Sequence, residues 1–110
     1  MENNHTERIA FNLILHSGNA RSFYIEAITL AKMYEFTKAR AKIKEAKHEL
    51  NEAHRIHAHS IHAEAKGDSV NVSILLIHAQ DHLMNALTIK DLVCEMIDMY
   101  EKFQQIEGDL

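Results

Sequence analysis

A chain of 110 residues is long enough to enclose one hydrophobic core, so we expect residues 1–110 to form a single domain. The chain has no proline, three glycines and 46% hydrophobic residues, a composition typical of an all-α protein. A net charge of −4 without a basic stripe argues against non-specific nucleic-acid binding. Cys94 is the only cysteine, and the sequence shows neither a signal peptide nor an apolar run that could span a bilayer. We therefore expect a cytoplasmic protein that does not insert into the membrane.

The first helix is predicted from about Thr6 to Met33. A glycine within a helix lowers its stability by about 1 kcal/mol relative to alanine, so Gly18 requires a reason. The usual reason is close approach of another backbone, which we predict here. The apolar positions alternate in steps of four and three, as in a bundle helix. They are Ile9, Leu13, His16, Ala20, Phe23, Ala27 and Leu30.

A turn is predicted around Tyr34–Thr37 because the apolar stripe changes phase there. The second helix should then run from about Phe36 to Lys66, with Gly67 at the position that follows a helix end. Its many lysines and glutamates are expected to form a solvated face with ion pairs along the helix. The predicted inward stripe is Phe36, Ala39, Ile43, Ala46, Leu50, Ala53, His57 and Ile61.

The third helix is predicted to run to about Gln105, capped by Asp68, Ser69 or Asn71. Three helices of about 30 residues predict an antiparallel up-and-down three-helix bundle. The first half of the third helix has more apolar surface than two neighbours can cover, which predicts self-association. The predicted core seam is Leu75, His78, His82, Asn85, Ile89, Leu92, Met96, Met99 and Phe103.

Polar residues interrupt this third helix where it is otherwise apolar on all sides. His78, Asp81 and His82 are three and four positions apart and share one face, with Gln80 beside them. Such a group could bind a metal, perform acid–base chemistry or carry a transferable group on a ring nitrogen. A conflict between an apolar helix and polar residues usually marks a functional site.

Alternative interpretations of these residues stay open at this point. His78 and His82 could be core histidines that hydrogen-bond to Gln80, Asp81 and Asn85, or metal ligands at helical spacing. In the metal interpretation the second helix would add Glu45, His48 and Glu49, which indicates a histidine-rich metal-binding bundle. If copies of the chain associate through the third helix, Asp81 side chains could converge and require a cation such as Mg²⁺.

Five histidines of the second helix, His48, His54, His57, His59 and His62, form a further cluster in the sequence. The helical phase places His54, His57 and His62 partly on the inner face, and His48 and His59 towards solvent. We expect most of them to be structural. Cys94 is expected to act as a small hydrophobic residue.

The stretch 72–84, Val-Ser-Ile-Leu-Leu-Ile-His-Ala-Gln-Asp-His-Leu-Met, resembles the signature of the lactose/cellobiose-specific IIA component of the bacterial sugar phosphotransferase system. Residues 17–22, Ser-Gly-Asn-Ala-Arg-Ser, and residues 50–54, Leu-Asn-Glu-Ala-His, resemble motifs of the same family. The likeness runs in order along nearly the whole chain. One departure is Tyr34-Glu35 before Phe36, where the family commonly has Gly-Asp.

The resemblance implies a homotrimer of three-helix subunits, a nine-helix bundle. It implies that His78 is the phosphorylated residue, as a tele-phosphohistidine, and that Asp81 binds a divalent cation, Mg²⁺, on the trimer axis. His82 and Gln80 match positions that support the phosphoryl group.

The implied donor is the phosphohistidine of the carrier protein HPr, and the implied acceptor is a cysteine of the cognate IIB component, for uptake of a β-linked disaccharide. An apolar collar of Leu75, Leu76, Leu83 and Met84 could either dock these partners or form trimer core.

Overall fold

The computed structural model describes residues 2–67 and 72–110, with side chains from residue 5 onward in the first segment. It contains three helices, α1 (Glu2–Lys32), α2 (Phe36–Ala65) and α3 (Ile74–Asp109). They form an elongated bundle whose Cα atoms extend over 64 × 20 × 20 Å. The predicted all-α, up-and-down three-helix bundle is confirmed. None of the helices in the described part of the chain is long and apolar enough to cross a membrane.

The connection between α2 and α3 contains a cap at the start of α3 and a glycine after the end of α2. The Ser73 side chain accepts a hydrogen bond from the backbone N–H of Leu76 (3.1 Å), so Ser73 caps α3. The predicted caps Asp68, Ser69 and Asn71 lie outside the described residues. Gly67 has a φ of 91° and its N–H donates to the carbonyl of Glu64 (3.0 Å), which confirms the glycine stop after α2.

Tyr34 explains the departure from the usual family turn. Its φ of 59° is left-handed, a conformation that costs a residue other than glycine about 1 kcal/mol. The Tyr34 hydroxyl donates a hydrogen bond to Glu107 of α3 (2.7 Å), which raises the pKa of Tyr34, and its ring stacks on Phe36. These contacts offset part of the backbone cost, so the turn forms here without glycine.

Helix α1 packs against both other helices, whereas α2 and α3 touch each other much less. Alanines dominate where the helices meet, and their small side chains allow long helices to approach closely. The predicted α1 seam is correct only at Leu13, Ala20 and Ala27. The other predicted positions are half-buried. The observed buried residues of α1 are Thr6, Ala10, Leu13, Ser17, Ala20, Tyr24, Ala27 and Ala31.

Tyr24, and not its neighbour Phe23, is the largest fully buried side chain of α1. Burial raises the pKa of Tyr24 to about 12, with smaller contributions from Cys94 and Asp91. Tyr24 is therefore a core residue of α1.

The α2 stripe is largely as predicted, since Ala39, Ile43, Ala46, Leu50 and Ala53 are all buried. The prediction fails at the end of the helix, where Ile61 is 53% exposed.

Among the α2 histidines only His57 is half-buried. The expected inward placement of His54 and His62 is wrong, because both are exposed like His48 and His59. Burial, and secondarily the charge of His54, lowers the pKa of His57.

Helix α3 buries a face that lies one residue along from the predicted seam, a rotation of about 100°. Its core residues are Leu76, Ala79, Leu83, Ala86, Val93 and Ile97. The predicted seam lies outside the core of the single chain. His78 and Asn85 are exposed, and His82 is half-buried. This side of α3 combines Ala79 and Ala86, whose small side chains allow α1 to approach closely, with larger buried residues such as Leu83.

Bulky apolar residues consequently remain on the surface of α1 and α3. We call this set the outer face. Exposed apolar surface of this extent is unusual for a monomer and is typical of association. Helix α3 does have more apolar surface than two helices cover, but most of this outer-face surface lies in its second half, from residue 92 to residue 106, and not in the first half as predicted. The outer face comprises Phe11, Leu15 and Ile25 of α1, and Ile77, Met84, Leu92, Met96, Met99, Phe103 and Ile106 of α3.

Candidate functional site

The two histidines of α3 contact each other directly. Nε2 of His78 lies 3.1 Å from Nε2 of His82, and the rings meet edge to face with centroids 4.6 Å apart. This contact requires one Nε2–H to donate to the other Nε2. The two residues are one turn apart on the helix, so their spacing correctly predicts that they share a face, although it does not indicate that the rings contact each other. The expected core histidines bonded to Gln80, Asp81 and Asn85 are not found, since the imidazoles pair with each other instead.

Gln80 and Asp81 lie between the two histidines in the sequence but occupy different surroundings. Asp81 is exposed on the outer face, between Ile77 and Met84 one turn to each side. Gln80 is half-buried. Within residues 5–67 and 72–110, no three His, Cys, Asp or Glu side chains are grouped closely enough to hold a metal ion. A cation at Asp81 would therefore need donors from further copies of the chain.

The predicted apolar collar separates into two kinds of residue. Leu76 and Leu83 are buried in the core of the single chain, so they cannot contact a partner. Leu75 is half-buried and Met84 is 46% exposed. Only these last two remain available at the surface beside the histidines.

A cleft of about 470 Å³ lies between α1 and α3 beside the histidine pair. His82 forms its α3 wall. The α1 wall consists of Gly18, Arg21, Ser22 and Ile25. Three of the six residues in the segment 17–22 thus line the same cleft as His82.

The remaining residues of segment 17–22 have packing roles. Ser17 and Ala20 are buried against the neighbouring helices. Asn19 donates from Nδ2 to Oε1 of Glu49 on α2 (3.4 Å), and the other oxygen of Glu49 contacts Nδ1 of His16 at 2.5 Å. Segment 17–22 therefore contributes residues to the core, a hydrogen bond to α2, and one wall of the cleft.

Sequence comparison decides the family. Residues 8–101 match the family described as "PTS system, Lactose/Cellobiose specific IIA subunit". The chain belongs to this IIA family. The resemblance inferred from the α3 signature is confirmed.

Individual IIA proteins are similar over nearly the full chain. The "Lichenan-specific phosphotransferase enzyme IIA component" of Bacillus subtilis (strain 168) is 44% identical over 106 residues, covering 96% of both chains. The crystal structure of the cellobiose-specific enzyme IIA from Bacillus anthracis has 49% identity and a TM-score of 0.89, covering 91% of this chain and 92% of that one.

A IIA protein bound to HPr is also similar in structure. The IIA(Chitobiose)–HPr complex of the N,N'-diacetylchitobiose branch of the Escherichia coli phosphotransferase system contains a chain with 35% identity and a TM-score of 0.78. The match covers 90% of this chain and 96% of that one. The chain is thus a sugar-specific IIA component of the phosphotransferase system.

Reasoning from residue spacing missed one side of this IIA site. His78, Gln80, Asp81 and His82 follow from the unusual polarity of α3. Arg21 belongs to a motif that the family resemblance singles out, but nothing in the α1 sequence indicates that it approaches α3. The only local signal is Gly18, which interrupts a good helix without an evident reason.

Proposed function

We propose that this IIA component carries a phosphoryl group on Nε2 of His78. It accepts the group from the phosphohistidine of HPr and passes it to a cysteine of the cognate IIB component during uptake of a β-linked disaccharide. The observation that supports this most directly is the exposed His78, whose Nε2 is paired with a second imidazole. The likeness to an HPr-bound IIA chain supports the donor. A cytoplasmic location is part of this proposal.

The histidine pair suits the chemistry of transfer. When Nε2–H of His82 donates to Nε2 of His78, the proton of His78 is on Nδ1 and a lone pair remains on Nε2. The hydrogen bond from His82 then breaks, and the freed lone pair attacks phosphorus as the N–P bond to the donor histidine breaks, with the donor imidazole keeping the bonding electrons. The Nδ1 proton of His78 then leaves to solvent. His82 can next donate its Nε2–H to a phosphoryl oxygen, which holds the group in place.

Transfer from His78 to the IIB component follows the same pattern, in which the acceptor's electron pair attacks phosphorus and the donor nitrogen keeps the bonding electrons. The thiolate of a IIB cysteine attacks phosphorus, an S–P bond forms, and the N–P bond to His78 breaks. His78 regains its lone pair and takes a proton on Nδ1. Positioning and charge neutralisation dominate such transfers, so few catalytic groups are needed. Gln80 lies beside the pair in the sequence and is a candidate supporting residue.

The functional unit in this proposal is a homotrimer with nine helices. The outer face supports this assembly, because burying its apolar residues between copies removes them from water. Leu92, Met96 and Met99 are each more than a third exposed in the single chain. A single chain leaves them without partners, whereas a symmetric assembly covers them.

Trimer formation would bring Asp81 carboxylates together on the outer face. Like charges that converge in an apolar interface repel, and a bound divalent cation offsets this repulsion. Three carboxylate oxygens are ligands that suit Mg²⁺, so the donor set fits a hard cation although one chain supplies only one residue.

Chelation tests this role of Asp81. EDTA should lower the Tm of the wild-type trimer by several degrees, because the carboxylates then repel without compensation. In Asp81→Asn the repulsion is absent, and the same treatment should leave Tm unchanged. Asp98→Asn, a change at another exposed carboxylate of α3, should remain sensitive to EDTA. A wild-type trimer whose Tm ignores EDTA would contradict the proposed cation.

The carrier function is tested by labelling. Phosphoenolpyruvate, enzyme I and HPr should together transfer one labelled phosphoryl group to each IIA chain. The bond should be labile in acid and stable in base, as expected of a phosphohistidine. Omission of HPr should abolish labelling. A folded trimer that takes up no label in the complete mixture would exclude the function.

A further inference from the structure

Gly18 has no packing role within the chain. A Cβ built at this position meets no other atom within 4 Å, so the predicted close approach of a second backbone is wrong for the single chain. Glycine nevertheless lowers the stability of a helix relative to alanine. Glycine at this position therefore destabilises α1 and leaves open space. That space lies in the wall of the cleft beside His82.

Arg21 brings a positive charge to the same wall. It is exposed, and among the described residues no carboxylate lies within ion-pair distance of it. By contrast, Arg40 pairs with Glu101 and Arg55 pairs with Glu52. A guanidinium has five N–H donors in a planar arrangement that matches the oxygens of a phosphoryl group.

The cleft lies next to the reacting nitrogen. His82 lines it, and Nε2 of His82 is 3.1 Å from Nε2 of His78. A phosphoryl group on His78 therefore lies beside a cleft that contains an arginine, an exposed serine and an unfilled glycine position. A phosphoryl group carries close to two negative charges, and no other cationic side chain of the described residues lines this cleft.

We propose that Gly18, Arg21 and Ser22 form a phosphoryl-binding subsite in which Arg21 is a catalytic residue. Arg21 neutralises the charge of the group during transfer, Ser22 donates a hydrogen bond from its hydroxyl, and Gly18 leaves the room that the phosphoryl oxygens and the partner's side chains need. This inference rests on the proposed carrier function.

Substitution of Arg21 tests the subsite through transfer kinetics. In Arg21→Gln, the rate of transfer from phospho-HPr at saturation should fall roughly 10- to 100-fold, at or below the usual effect of removing one preorganised donor. Arg21→Lys should recover part of the rate, because the charge remains without the planar geometry. The matched control is Arg8→Gln, an exposed arginine of the same helix that lines a different cleft, between α1 and α2. It should transfer at the wild-type rate.

The outcomes separate this inference from the function on which it rests. If wild-type protein takes no label, the carrier function fails and the subsite fails with it. If wild-type protein is labelled and Arg21→Gln is labelled equally fast, the subsite alone is wrong. An equal loss of rate in Arg8→Gln would also overturn it, because the effect would then be long-range electrostatics.

Gly18→Ala provides a second, independent test. Alanine is the better helix former, so Tm should rise by a few degrees if nothing fills the space in the folded protein. The added methyl group enters the cleft, so transfer from phospho-HPr should become at least several-fold slower. If Gly18 instead served close packing between subunits, the added methyl group would disrupt the trimer. A variant that loses its trimer but transfers normally per chain would assign the space to subunit contact and overturn the subsite.

Discussion

A His78→Gln variant should accept no detectable phosphoryl group from phospho-HPr, a loss of at least about 1,000-fold, because glutamine offers no nucleophilic nitrogen. His78 is exposed on α3, and its replacement removes only the contact to His82. Folding and trimer formation should therefore be unchanged. Transfer of label from phospho-HPr, followed on an acid-free gel, measures the effect directly.

Two further variants make this result specific. His59→Gln changes an exposed histidine of α2 and should be labelled like the wild type. His82→Gln should still be labelled, but more slowly, because the acceptor nitrogen is present without its hydrogen-bonding partner. Full labelling of His78→Gln would show that another histidine is the acceptor. Normal labelling in His82→Gln would exclude a role for the pair.

A Leu92→Glu variant should exist as single chains at concentrations where the wild type is trimeric. Leu92 is 52% exposed on the outer face of α3. A carboxylate buried there without a partner costs several kcal/mol, and a trimer contains it three times. Sedimentation equilibrium should give a mass near 12.6 kDa for the variant and three times that value for the wild type.

The matched control for this change is Ile61→Glu. Ile61 is a residue of similar size on α2, it is 53% exposed, and it lies away from the outer face. We expect this variant to remain trimeric. Dissociation of both variants would mean that charge alone disrupts the assembly, and a trimeric Leu92→Glu protein would exclude the outer face of α3 as the subunit contact.

The orientation of α3 shows where sequence reasoning reaches its limit. This helix has two apolar stripes, each with the spacing expected of a bundle seam. The sequence favours the stripe with the bulky residues Leu92, Met96 and Met99. The structure instead buries the stripe that contains Ala79 and Ala86 together with Leu76 and Leu83, because this mixture of small and large side chains allows α1 to pack closely. Periodicity identifies both stripes but does not reveal which neighbour each one meets.

The same limit explains the errors in α1. Phe23 and Tyr24 differ by one helical step, and either could belong to an apolar stripe. Tyr24 is buried because α1 contacts two helices at once, which shifts the centre of its buried face. Gly18 is a related case. Its place within a helix predicts close approach of a second backbone, whereas the single chain leaves the space around it open.

The sequence by itself determined the helical class, the ends of α2, the placement of His78 and His82 on one face of α3, and the family to which the chain belongs. These features depend on local spacing, on turn residues such as Gly67, and on a motif within one helix. Only the tertiary structure decided which stripe of α3 forms the core, that His78 is exposed, and that Gly18 and Arg21 line a cleft with His82. Those features depend on contacts between residues about 60 positions apart, where the packing of whole helices, and not local spacing, sets which side chains meet.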